Sequence, residues 1–116
     1  MARPAITSIR PATLEDFINL REVPPKTARA FAVVKDTNVI GIGGIYRDGE
    51  NKVLFSELTD EIRRDKRSLI GLIRAVKTLM RGRVFSFADP DIDGSEVLLR
   101  HMGFEHFQGR FYQWHS

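Results

Sequence analysis

The chain of 116 residues contains no cysteine, which excludes both a disulfide framework and a thiolate metal site. It has one tryptophan, two tyrosines and three histidines, and His101, His106 and His115 lack the helical pair spacing of a zinc enzyme, so no metal is expected. No apolar run is long enough to span a bilayer, and Met1-Ala2-Arg3-Pro4 does not begin a secretory signal, so a cytoplasmic location without membrane association is expected. Internal repeats and low-complexity stretches are also missing. What remains, 42% apolar and 28% charged residues, is the composition of one ordinary globular domain over residues 1–116.

The net charge of +3 conceals an asymmetry, because residues 61–83 carry eight Lys or Arg against Glu61 and Asp65 alone. Such a localised cationic patch points to phosphate, nucleic acid or an acidic surface, with a solvated helix face as the plain alternative. Nucleic-acid binding is the weaker expectation, since no aromatic platform or recognition motif accompanies the patch.

Ile6 to Arg10 has the β-branched composition of a strand, with Pro11 closing it, and Thr13 and Asp16 make a capping box for a short helix over Leu14 to Leu20. Val23-Pro24-Pro25 forces a loop. Residues Ala30 to Lys35 and Val39 to Tyr46 flank Asp36-Thr37-Asn38 as a hairpin, and after the turn at Asp48-Gly49-Glu50-Asn51 the stretch Val53 to Leu58 adds a third antiparallel strand. The strongest periodicity follows: Leu69, Leu72, Ile73, Val76, Leu79 and Met80 share one face of a helix over Lys66 to Arg81, with Arg67, Arg74, Lys77 and Arg81 opposite and Gly82 at its end. Val84 to Phe87 is a strand, so the preceding helix is a right-handed crossover between parallel neighbours. Asp93 and Glu96 cap a last helix containing Val97, Leu98 and Met102, with Gly103 as its left-handed cap. Phe104 to Phe107 and Arg110 to Trp114 complete the pattern around Gln108-Gly109. The expected fold class is α+β, a mostly antiparallel twisted sheet of six to seven strands with about three helices.

This element order, together with Ile9-Arg10-Pro11-Ala12-Thr13, Val39-Ile40-Gly41-Ile42-Gly43-Gly44 and Leu98-Leu99-Arg100-His101-Met102-Gly103-Phe104, resembles the GNAT acetyltransferase superfamily over the whole chain. It is similar in reduced form to the small GNAT-like proteins of tailed bacteriophages. The resemblance implies an N-acyltransferase that moves an acetyl group from acetyl-CoA to a primary amine by direct attack, the acceptor being a small molecule or a protein and a homodimer lying within its scope. In that family an Arg/Gln-x-x-Gly-x-Gly/Ala loop binds the diphosphate. Its three defining positions fall here on Arg63, Lys66 and Ser68. Lys66 replaces a glycine that lets backbone amides approach the ligand, and Arg63, Arg64, Lys66 and Arg67 supply cations there instead. Backbone groups of Leu58, Thr59 and Asp60 fall where the family holds pantetheine, and Ser68 has a hydroxyl to donate.

By the same resemblance Glu57 is the candidate base, although an alternating strand also admits an outward-pointing carboxylate. The family's general-acid tyrosine falls on Leu99, which cannot deliver a proton. Tyr112 and Ser95 are the substitutes, Tyr112 being equally a packing residue with a polar tip. The acidic run Asp89, Asp91 and Asp93 suits either a cationic amine or turn and capping chemistry. These departures leave a second reading open, a catalytically inactive binding or structural protein, phage-associated by the resemblance to the phage proteins.

Overall fold

The computed structural model describes residues 7–22, 27–87, 99–109 and 111–115. The elements are β1 (Thr7–Pro11), α1 (Leu14–Asn19), β2 (Arg29–Lys35), β3 (Asn38–Asp48), β4 (Asn51–Leu58), α2 (Asp60–Arg64), α3 (Lys66–Lys77), β5 (Arg83–Phe87), β6 (Glu105–Gln108) and β7 (Phe111–His115). Residues 99–101 are also helical. The expected cap residues Asp93 and Glu96, with Val97, Leu98, Ser95, Asp89 and Asp91, lie outside the described residues.

Seven strands form one sheet in the order β1-β2-β3-β4-β5-β7-β6, every neighbouring pair antiparallel except β4 and β5. The expected fold class therefore holds at its upper strand number, and the β4-to-β5 connection joins the parallel pair as the helix periodicity required.

Helices cover both faces. On one, Phe17 of α1 packs with Ala32, Val34 and Ile42. On the other, Leu72, Val76 and Met80 pack with Val33, Ile45, Leu54, Ile62, Val84 and Tyr112, and Leu69, Ile73 and Leu79 add to the same core. All six apolar residues of the periodic stretch thus face the core. The helix itself stops at Lys77 rather than Arg81, continuing through Thr78 and Leu79 as a turn in which Thr78 Oγ1 donates to the Ala75 carbonyl at 2.6 Å.

Pro11 closes β1 as expected, as its last residue. It belongs to the strand, opposite Phe31, because β1 is an edge and a proline there costs no ladder bond. Gly103 has φ +97°, the left-handed conformation expected of it. The capping box of α1 is present: Thr13 Oγ1 accepts from the Asp16 amide at 3.3 Å, and Asp16 Oδ2 accepts from the Thr13 amide at 2.7 Å. Arg10 adds a second hold on that carboxylate, donating from Nη2 to Oδ1 at 2.8 Å.

Candidate functional site

Parallel pairing between β4 and β5 is short. Lys52 pairs with Val84 and Val53 with Phe85, and beyond that register the described residues show β4 paired with β3 alone up to Leu58. From Leu54 onward one edge of β4 therefore presents N–H and C=O groups with no strand partner among the described residues, the kind of edge that an extended ligand can line. Ser86 stands just past the last pair, buried, its Oγ 3.4 Å from the Leu54 carbonyl.

The end of β4 leads into α2, a helix within the segment that the resemblance assigns to the diphosphate loop. Local chemistry explains the helix. Thr59 caps it, Asp60 and Glu61 fill its first turn, and Arg63 and Arg64 its last, matching the charges to the helix dipole at both ends. A β-bulge anchors it: Val33 pairs with Gly41 and Val34 with Val39, so Ile40 is the extra residue. The Ile40 carbonyl accepts from Thr59 Oγ1 at 2.6 Å and from the Thr59 amide at 3.2 Å. Ile62, fully buried, then lies over Gly41, where an added Cβ would come within 2.7 Å of the Ile62 Cδ1. The glycine of β3 is what lets α2 sit so close to the sheet.

Six residues, Lys35, Glu61, Arg64, Asp65, Lys66 and Arg67, line a surface depression of about 520 Å³ at the junction of α2 and α3. Three of the sequence-assigned cations, Arg64, Lys66 and Arg67, meet there. Arg63, the strict match to the loop pattern, does not line it, and its guanidinium lies 3.7 Å from the Asp60 carboxylate. Lys35 contributes a fourth cation from the end of β2, its ammonium 3.9 Å from Glu61; only the hairpin geometry brings it here. Ser68 is buried and its hydroxyl donates to Asp65 Oδ2 at 2.7 Å, while its amide donates to Asp65 Oδ1 at 3.2 Å. Those bonds to Ser68 hold the Asp65 carboxyl below its ordinary range, with Lys35 adding charge support. The Thr59 amide is turned toward β3. Leu58 packs against the larger core and Asp60 is exposed.

Glu57, two residues beyond Phe55, is half-buried on the α1 face of β4, where the Phe55 ring stacks on Phe17 at 6.2 Å. Burial raises its carboxyl above the ordinary range, and the nearby Glu22 carboxyl, within hydrogen-bonding reach, raises it further. Glu22 sits where its amide donates to the Phe17 carbonyl at 2.9 Å. Sequence reasoning passed over it because its closeness to Glu57 is tertiary.

Tyr112 is buried on the opposite face, opposite Ser86 in register and edge-on to His106 at 5.4 Å. Leu99 is buried in the same core cluster. Tyr112 and Leu99 therefore share one cluster, something the separation in sequence conceals.

Mostly antiparallel sheet, a single short parallel junction, a bulged β3, and a helix starting at the end of β4 amount to one known architecture. The fold is that of the GNAT acetyltransferases. The chain superposes on a GNAT-family acetyltransferase of Staphylococcus aureus Mu50 with a TM-score of 0.67 at 12% identity, covering 95% of this chain and 99% of that one. An acetyltransferase of Agrobacterium tumefaciens C58 gives 0.66 at 15% identity, covering 100% and 96%. The solution structure of Escherichia coli YhhK bound to coenzyme A gives 0.56 at 14% identity, covering 98% and 100%. No family model and no curated protein sequence matches the chain. At such identities the GNAT likeness is one of fold. Among the described residues, no helix is long and apolar enough to cross a membrane.

Proposed function

We propose that the chain is an acetyl-CoA-dependent N-acyltransferase acting on a primary amine of a small molecule or a protein. The observation that carries this reading is the end of β4–β5 pairing at Val53 and Phe85, which leaves one edge of β4 without a strand partner among the described residues, together with the cations where α2 meets α3. An extended pantetheine arm suits the unpaired edge of β4, and a diphosphate suits Arg64, Lys66 and Arg67. The residues present fit the group in these respects, and YhhK is a neighbour of the same fold that was solved with coenzyme A. When bound, acetyl-CoA supplies an activated thioester carbon.

Glu57 takes a proton from the incoming ammonium, directly or through one water, and its raised pKa makes it a better acceptor than an ordinary surface carboxylate. Tyr112 serves the departing thiolate from the other side of the sheet, the position that Leu99 cannot fill. Arg63 supports the diphosphate only after leaving Asp60, so its contribution is smaller than that of Arg64, Lys66 and Arg67.

Two measurements test this. A saturable rise in melting temperature with acetyl-CoA is expected, together with thiol release in the presence of a panel of amines. Glu57→Gln is expected to keep the binding and slow transfer by about a hundredfold, and in the native chain transfer should climb with pH through the raised Glu57 value. Absence of any thermal shift at millimolar acetyl-CoA refutes the reading. Binding without transfer to any amine supports the second one, a catalytically inactive binding protein, which the burial of Leu99 in the core favours.

A further inference from the structure

Asp65 does more than start a helix. It stands between the loop arginines and α3, and its carboxylate accepts from both the amide and the hydroxyl of Ser68, at 3.2 and 2.7 Å. Ser68 is the third defining position of the diphosphate loop, and its amide belongs to the first turn of α3, whose N–H groups have no partner within the helix. An arriving diphosphate needs the same donors. One negative group already holds them, and a second must compete for them, because like charges a few ångströms apart repel.

The surrounding depression repeats the conflict. Lys35, Arg64, Lys66 and Arg67 offer four cations, while Glu61 and Asp65 set two carboxylates among them. Glu61 is spoken for in part by Lys35 at 3.9 Å. Asp65 is the carboxylate that touches the amides.

We propose that Asp65 is a built-in competitor for the diphosphate, a side chain that holds the amide and hydroxyl donors at the start of α3 and thereby sets how tightly the phosphate-bearing ligand binds. The inference rests on the acyl-CoA reading given above and adds an affinity-determining residue to it. With Asp65 in place, the ligand meets the side-chain cations without the amide and hydroxyl of Ser68. With its charge removed, the repulsion goes and the Ser68 hydroxyl, from which an asparagine NH2 cannot accept, is freed for the ligand, without any glycine at Lys66.

The test is calorimetry with coenzyme A on the whole chain and on Asp65→Asn. Asparagine keeps an oxygen that caps the Ser68 amide, so the start of α3 stays intact while the charge goes. Asp48→Asn, at the last residue of β3 and the far end of the β3–β4 pair, removes one negative charge away from α3 and serves as the control. Asp65→Asn is expected to tighten coenzyme A binding by about tenfold, with Asp48→Asn within twofold of the native chain. If the native chain binds and Asp65→Asn changes its affinity by less than twofold, the competitor role is wrong and the acyl-CoA reading stands. Equal tightening by both variants also overturns it, since general charge would then be the cause. If Asp65→Asn binds where the native chain does not, the competitor role holds and the native chain is no acyl-CoA enzyme. If neither binds at millimolar coenzyme A, both ideas fall.

Discussion

A single carboxylate at Asp16 joins three parts of the chain. It is buried, it accepts from the Thr13 amide, and it accepts from both terminal nitrogens of Arg10, so β1 and the start of α1 are tied through it. The Arg10 hydrogen bond, first, and then the Thr13 bonds hold its pKa below the ordinary carboxylate value, against burial, which raises it. The folded value thus lies below the unfolded one. Its stabilisation is fully present above the ordinary carboxylate range and is lost as pH falls through the folded value. Asp16→Asn should cost about 2 kcal/mol in urea denaturation at neutral pH, and the gap to the native chain should narrow on acidification. Parallel loss of stability by the two proteins would contradict the assignment. The capping box was legible in sequence because Thr13 and Asp16 are three residues apart, whereas the Arg10 clamp needed the strand and helix to meet.

At the level of elements, α2 is the part that local signals only half announce. Its cap and charge order are written in Thr59-Asp60-Glu61 and Arg63-Arg64, yet five residues cannot hold a helix without outside help. That help is the Ile40 carbonyl, exposed by the bulge and bonded by Thr59. Thr59→Val removes both the cap and this bond, and should destabilise the fold by about 1 kcal/mol with faster amide exchange across residues 60–64 than across α3. Equal exchange in the two helices would show that the bulge does not anchor α2. The long periodic helix was readable throughout on its apolar face, and only its last turn was misjudged, because the pattern of Leu79 and Met80 continues past the point where the helical hydrogen bonds stop.

For the molecule as a whole, charge and topology set the expected behaviour together. The eight cations of residues 61–83 are spread along α2, α3 and the start of β5, and Arg74, Lys77 and Arg81 remain exposed on the outer side of the α3 region. With Asp65 on the amides, phosphate binding depends on side-chain charge, which salt screens. Raising monovalent salt from about 50 to 300 mM should weaken coenzyme A binding roughly tenfold; an affinity indifferent to salt would mean that the depression at α2 and α3 is not where the phosphates lie. By itself the sequence determined the order of strands and helices apart from α2, the apolar face of α3, the caps at Thr13 and Gly103, and the concentration of cations after β4, because each of these depends on residues within a few positions of one another. Only the tertiary structure decided where β4 leaves β5, which carboxylate lies beside Glu57, that Lys35 joins the loop cations and Arg63 does not, and that Tyr112 shares a core with Leu99. Those depend on register across the sheet and on the Ile40 bulge, whose carbonyl anchors the start of α2.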